Sequence, residues 1–261
     1  MTQAEWIMLW LCAVAALLHG LSGFGFPMLS TAVLSSAYPL SMAISLVILP
    51  CLLLNLIMLN ADPQHSLFRS IGYYVKAYWP LILSSLLGSI LGVQLLFWLN
   101  EGILKLLIGL MMVFYALDQF RAKPLQVSPH IFSMLCFGLL AGIIGGATNA
   151  MAPFLMMYLM SCQLSKTDIV IISNLNFIAS KLIQLILLFP ILIAFETPQQ
   201  HILIGICLFA LAGVRVGAKI RHRLSQQHFK AMVLSLLFVL GIYALWQSAA
   251  LLQQSHYSIF K

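Results

Sequence analysis

Charged residues are scarce in this chain. Only 7% of the 261 residues are charged, six of them acidic, while 62% are hydrophobic. The mean hydropathy is +1.03, and the longest segments polar enough to lie in water are Asn60–Lys76, Arg121–His130 and Lys219–Lys230. A folded soluble domain needs a largely polar, charged surface. The composition therefore excludes a soluble globular domain.

Several kinds of site are also missing. No cysteine pair has CxxC spacing, and each cysteine lies in or beside an apolar run, so we interpret all five as small hydrophobic residues rather than metal or redox groups: Cys12, Cys51, Cys136, Cys162 and Cys207. The basic residues are spread over short loops, whereas a nucleic-acid-binding face needs them together. We expect no metal, no cofactor and no nucleic-acid partner.

Apolar runs of membrane-spanning length recur along the whole chain, which is typical of a polytopic helical protein surrounded by membrane lipid. Eight apolar blocks are Glu5–Tyr38, Leu40–Leu59, Tyr73–Leu99, Ile103–Phe120, Ile131–Tyr158, Ile169–Ile193, His201–Ile220 and Phe229–Leu252. The first has no basic residues before it, so we expect it to be retained rather than cleaved as a signal peptide. The first and fifth blocks are too long for one span and are interrupted by glycine-rich breaks at His19–Pro27 and Gly142–Pro153.

Short motifs recur at a nearly constant separation. The GxxG of residues 20–23 recurs at 142–145, and the GxxxG of residues 88–92 recurs at 213–217. Their common order predicts that the chain consists of two copies of one unit. The GxxxG motifs are typical of close helix packing.

The distribution of positive charge predicts how the two copies are oriented. If each broken block enters the membrane and returns, nine basic residues share one side: Arg69, Lys76, Arg121, Lys123, Lys166, Lys219, Arg221, Arg223 and Lys230. Only Lys105 and Lys261 then lie on the other side. The positive-inside rule favours this arrangement over a straight crossing, which divides the charges about evenly.

We therefore predict an all-α polytopic protein of the cell (inner or plasma) membrane with two inverted repeats, residues 1–124 and 125–261. Each repeat is a broken or re-entrant helical hairpin plus three transmembrane helices, and both termini lie outside the cytoplasm. Whether each broken segment is re-entrant or two short spanning helices stays open, as does homo-oligomer formation.

The two breaks are candidate anion sites. Backbone N–H groups without partners cannot face lipid, so each break is covered by protein or lines a cavity. A half-helix that starts there directs free N–H groups and the positive end of its dipole into that cavity. We expect substrate contacts from Gly23, Gly25, Gly145 and Gly146, with glycine-mediated packing as the alternative. Thr148 and Asn149 add side-chain donors.

Lys181 lies near the middle of Ile169–Ile193, roughly 18 Å from either end of the block at ~1.5 Å per residue. An ammonium in lipid costs at least ~2.5–3.5 kcal/mol, so it needs a partner. No acidic residue lies in the middle of another apolar block. We therefore expect the partner to be an anionic substrate.

Amide side chains accompany this lysine. Asn174 and Gln184 share its helical face, and Asn176 and Ser180 flank them. Such a stripe supplies a positive charge and amide donors for an oxyanion. Asn55 and His19 are further candidate substrate-binding residues.

Three segments resemble a known family: GLSGFGFPMLSTAVL from Gly20, GLLAGIIGGATNAMAPFLMMYL from Gly138 and GVRVGAKIRHRLSQQHFK from Gly213. They are similar to the sulfite exporter TauE/SafE family, also called TSUP or DUF81. The resemblance implies an integral membrane transporter of sulfite, thiosulfate, sulfoacetate or a related organosulfonate. The chain departs from the family pattern at Ala32, where proline is usual, and at Ala152, where the second segment usually has paired prolines.

The expected function is therefore a secondary transporter, not an enzyme, that exports a small anionic organosulfur compound or sulfur oxyanion. The sequence contains no nucleotide-binding motif, so the energy would come from ion gradients or the membrane potential. One alternative is an intramembrane serine protease, because Gly20–Gly23 has the form GxSG with Ser22 as nucleophile and such a nucleophile needs a histidine base. A non-transporting scaffold subunit is the other.

Overall fold

The chain folds into helices throughout its described part. The computed structural model describes residues 3–60, 67–98, 100–119, 121 and 127–259. Its first half contains α1 (Gln3–Ser22), α2 (Phe26–Leu34), α3 (Leu40–Leu59), α4 (Leu67–Leu95) and α5 (Glu101–Asp118). Its second half contains α6 (Ile131–Thr148), α7 (Ala152–Ser161), α8 (Lys166–Leu187), α9 (Phe189–Ile193), α10 (Thr197–Arg223) and α11 (Gln226–Ile259). The predicted all-α class is confirmed.

Seven described helices are long and apolar enough to cross a membrane, namely α1, α3, α4, α6, α8, α10 and α11. Large apolar side chains cover the outer surface, including Trp10, Leu87 and Leu208, whereas asparagines, serines and a lysine are buried between helices. Because an apolar exterior suits lipid and not water, this is a multi-pass membrane protein.

The sixth apolar block differs from its prediction. It is not one helix: α8 ends at Leu187, and the short α9 follows with Pro190 in its first turn. Lys181 is therefore six residues from the end of α8, about 9 Å at ~1.5 Å per residue, and not near its middle. Its burial comes from packing against other helices rather than from depth along α8.

Both breaks are shorter than predicted because α1 continues through Ser22 and α6 through Thr148. The first break is residues 23–25, whose two glycines have φ values of 86° and 107°. The second is residues 149–151, where Asn149 adopts φ 63°. A left-handed conformation is easy for glycine and tolerated by asparagine, which explains these residue types at the two breaks.

The GxxxG motif of α10 packs against α1, as predicted. A Cβ atom on Gly213 would lie 2.5 Å from the carbonyl oxygen of Ala13, and one on Gly217 would lie 2.1 Å from that of Leu17. Both separations are too short for any side chain. The sequence numbers rise together along the contact, so α1 and α10 run parallel.

The GxxxG motif of α4 packs against α6 in the same way. A Cβ atom on Gly88 would lie 2.3 Å from the Leu139 oxygen, and one on Gly92 would lie 2.1 Å from the Ile143 oxygen. Gly142, placed by the sequence in the second break, lies inside α6 at this interface. Its predicted place in the break is wrong, because packing here keeps the helix intact.

Serine and amide side chains join α4 to α8. The Ser85 hydroxyl donates to Oδ1 of Asn176 at 2.9 Å, and the Ser89 hydroxyl donates to Oγ of Ser180 at 2.8 Å. Because the residue numbers rise together along both helices, α8 runs parallel to α4. Since α6 is also parallel to α4, α6 and α8 run in the same direction. The chain therefore returns between them, through the second break and α7.

A further contact between the two halves is antiparallel. Gly102 of α5 lies against Leu252 of α11, while Gly109 lies against Gly241. Helices α5 and α11 hold equivalent places at the ends of the two halves. Their opposite directions are those that an inverted repeat requires, and the inverted relation itself stays a prediction.

Candidate functional site

Lys181 is the centre of a buried polar cluster. Its side chain is 3% exposed, and its ammonium donates to Oδ1 of Asn149 and Oε1 of Gln184. No carboxylate contacts it in the part of the chain that the structure describes. A buried cation held by amide oxygens alone is partnered but not neutralised.

Gln184 ties this cluster to the end of α6. Its Nε2 donates to the Gly145 oxygen at 3.2 Å, to the Gly146 oxygen at 3.1 Å and to Oδ1 of Asn149 at 3.0 Å. The two glycines thus present carbonyl oxygens to the cluster, since they lie in the last turn of a helix. Their expected role as substrate contacts through N–H groups stays a prediction.

Asn149 connects the cluster to α2 in the first half of the chain. While its Oδ1 accepts from Lys181, its Nδ2 donates to Oγ1 of Thr31 on α2 at 2.7 Å. The left-handed backbone at this position aims the side chain between the two half-helices. Thr31 was not among the substrate-binding residues predicted from the sequence, although it lies within the first family-like segment.

A second buried cluster surrounds the first break. Nδ2 of Asn174 donates to the Gly23 oxygen at 3.1 Å and to the Val170 oxygen at 2.7 Å. Its Oδ1 lies 3.3 Å from Nε2 of His19. Asn174 is two helical turns from Lys181, about 10 Å along α8, so α8 supports both breaks.

The two half-helices begin without side-chain caps. Gly25 occupies the N-cap of α2 and Met151 that of α7, and both helices have proline in the first turn. Gly25, Asn149 and Ala152 line one cavity between them, with about 10 Å³ of space for the centre of a water molecule. Two positive helix ends therefore converge on one small space. Lys181 does not line this cavity, because Asn149 lies between.

Thr148 faces a different cavity. Its hydroxyl donates to the Ile144 oxygen at 2.8 Å. The residue lines a space of about 40 Å³ together with Thr31, Lys105 and Tyr243.

Asn55 belongs to neither cluster. It is fully buried on α3, and its Nδ2 lies 3.4 Å from Sγ of Cys51. Its Oδ1 has no hydrogen-bond partner among the described residues. Asn55 makes no described hydrogen bond to Lys181, Asn149 or Gln184, but its partner Cys51 interacts electrostatically with Lys181.

Nothing in the geometry supports the protease alternative. Ser22 Oγ lies 2.7 Å from the Leu18 oxygen and 2.8 Å from the Phe24 oxygen, either of which can accept its one proton, and it accepts from the Phe24 N–H at 3.2 Å. His19 bonds instead to Asn174. Ser22 closes the end of α1, which is a structural role and not that of an activated nucleophile.

The burial of Arg221 corrects the sequence analysis, which placed it in a basic loop. It lies in the last turn of α10 and is 3% exposed. Arg223, two residues later, is exposed. A run of basic residues at a helix end hides this difference, because only packing shows which member faces inward.

A family model described as Sulfite exporter TauE/SafE matches residues 8–244. The matched range contains both breaks and both polar clusters. Searches of curated proteins and of solved structures found no match.

Proposed function

The chain belongs to the sulfite exporter TauE/SafE family, and we propose that it is a secondary transporter that exports small sulfur-containing anions across the cytoplasmic membrane. Sulfite, thiosulfate, sulfoacetate and related organosulfonates are the substrate class that this membership suggests. The residues proposed to bind the anion lie around the two breaks.

Lys181 is the observation that carries this proposal. Keeping an ammonium in a membrane-spanning helix is costly, and amide oxygens offset only part of that cost. An anion adds the missing negative charge. Asn149 and Gln184 donate or accept through the same amide groups, so they can release the ammonium and turn N–H groups toward an oxyanion.

The half-helix ends provide the second part of the proposed site. The uncapped N-termini of α2 and α7 direct partial positive charge into the cavity beside Asn149. A side-chain movement of Asn149 would place this cavity in contact with Lys181. We propose that a tetrahedral or pyramidal oxyanion binds between the ammonium and these helix ends.

Charge also provides a driving force. With the cell interior negative, each anionic charge that leaves gains ~2.3 kcal/mol per 100 mV of membrane potential. Export therefore requires no coupled ion. The described helix directions support an inverted repeat, which allows the site to open alternately to the two sides by motion of one repeat against the other.

The test is transport by the purified protein in liposomes with sulfite, thiosulfate, sulfoacetate and taurine as the panel. We expect saturable, potential-dependent flux of at least one of these anions. Lys181→Gln should lower that flux at least tenfold, whereas Lys219→Gln, which removes an exposed lysine from α10, should leave it unchanged. The proposal is refuted if the protein moves none of the panel, or if both variants behave alike.

A further inference from the structure

A second buried cation lies near the first break. Arg221 as a residue is 3% exposed, and its Nη1 makes two long contacts, 3.4 Å to the Gly20 oxygen and 3.5 Å to Sδ of Met58. Its Nε and Nη2 have no hydrogen-bond partner among the residues that the structure describes. No described carboxylate pairs with it. The guanidinium thus lacks both counter-charge and most of the hydrogen bonds it can make.

His19 is the second observation at this place. It directly precedes Gly20, and its ring interacts electrostatically with Arg221. Asn174 already donates both amide protons to backbone oxygens, so Oδ1 must accept from Nε2–H of His19. The remaining ring atom, Nδ1, is buried without a described partner. Nδ1 is therefore an acceptor, so at this place the hydrogen-bond donors open to an anion belong to Arg221.

We propose that Arg221 is a second anion-binding residue, which takes two oxygens of a sulfonate or sulfur oxyanion through Nε and Nη2. This rests on the proposed function and deepens it. A planar guanidinium matches two oxygens of one anion in a fork, a geometry that an ammonium does not offer.

The two buried cations, Arg221 and Lys181, lie near opposite ends of α8. Arg221 lies in the last turn of α10, close to the start of α8, because the Lys166 ammonium donates to the Arg221 oxygen at 3.3 Å. Lys181 lies near the other end of α8. In the predicted orientation Arg221 is the first buried cation that an anion meets from the cytoplasm, and Lys181 is the second. Export then proceeds by transfer of the anion from one to the other.

The test compares Arg221→Gln with Arg223→Gln, which removes an exposed arginine two residues along the same helix. Sulfite and sulfoacetate serve as probes in two measurements: flux in liposomes and anion-induced stabilisation of the detergent-purified protein against heat. We expect Arg221→Gln to lower flux about tenfold or more and to reduce the anion-induced stabilisation. Arg223→Gln should match the wild type in both.

Arg221→Lys separates binding from folding. It keeps the charge but loses the two-point fork, so we expect a raised half-saturating anion concentration with an unchanged melting temperature in the absence of anion. A melting temperature that falls in Arg221→Lys and Arg221→Gln while anion affinity stays at the wild-type value would show a structural role and overturn the proposal.

The two proposals fail in different ways. If the wild type carries none of the anions but is stabilised by one, and Arg221→Gln removes that effect, the subsite holds and the transport proposal fails. If the wild type exports an anion and Arg221→Gln exports it equally well with equal affinity, the transporter holds and the subsite is refuted. If no anion affects the wild type in either measurement, both are refuted.

Discussion

At the scale of single residues, the question is whether Lys181 is in the protein for function or for stability. Its amine touches amide oxygens of Asn149 and Gln184 and no described carboxylate. Such a group lowers stability unless something outside the fold compensates, because burying a charge costs more than neutral acceptors return. Function is the physical reason to keep it.

If Lys181 is kept for function, Lys181→Met should change transport and not stability. Methionine has similar length and no charge, so the protein should be as stable as the wild type or more so, while transport should fall to the background of protein-free liposomes. Melting temperature and flux, measured on the same preparation, check the two parts. A large loss of stability together with normal flux per folded protein would contradict the reasoning.

Asn149 permits a sharper test. Asn149→Asp places a carboxylate against the Lys181 ammonium. The protein itself then provides the negative charge that we assign to the substrate. We expect flux to fall at least tenfold with melting temperature unchanged or higher. The matched control is Asn100→Asp, at the exposed N-cap of α5, where aspartate serves equally well as a cap. Normal transport by Asn149→Asp would refute a role for Lys181 in anion binding.

At the scale of helices, glycines have two distinct roles that one pattern conceals. In the GxxxG motifs they let backbones approach, as between Gly217 and Leu17. At the first break they permit positive φ, as in Gly23 and Gly25. The second break uses Asn149 for its left-handed turn, which frees Gly145 and Gly146 to remain helical.

Close packing predicts opposite effects for two glycine-to-alanine changes. At Gly217 an added Cβ would lie 2.1 Å from a backbone oxygen, whereas at Gly72 nothing lies within 4 Å. Gly217→Ala should therefore separate α1 from α10 and destabilise the protein by a few kcal/mol, as overpacking does. Gly72→Ala should stabilise it by ~0.5–1 kcal/mol through helix propensity. Thermal unfolding in detergent measures both, and equal effects would exclude the packing explanation.

At the scale of the whole molecule, whether the chain reverses within each broken segment determines the topology. Helices α6 and α8 are both parallel to α4, and α5 is antiparallel to α11. If the halves are inverted, the segment after α4 and the segment after α9 lie on the same side of the membrane. A straight crossing at each break would put them on opposite sides.

Cysteine labelling decides between these topologies. With the native cysteines replaced, Asn100→Cys and Glu196→Cys, both at exposed positions, should react with a membrane-impermeant maleimide added outside intact cells. Arg223→Cys should react only after the membrane is permeabilised. Labelling of Asn100→Cys without Glu196→Cys, or the reverse, would refute the inverted repeat.

Much of this protein could be predicted from its sequence because membrane burial leaves a strong compositional record. Long apolar runs fix the helices and their membrane location, repeated GxxxG motifs mark where helices pack, and family-like segments around residues 20–34 and 138–159 identify the family. The polar stripe of Asn174, Lys181 and Gln184 was also visible, since helical spacing alone places these residues on one face.

Contacts between distant segments were decided only by the tertiary structure. The sequence could not show that Asn149 joins Lys181 to Thr31, that Gly145 and Gly146 present carbonyl oxygens, or that Arg221 is buried while Arg223 is exposed. Periodicity reports which face of a helix a residue occupies, but the partner of that face depends on how α2, α6, α8 and α10 pack. The way these helices pack, and not the composition of the chain, places Lys181 and Arg221 beside the two breaks.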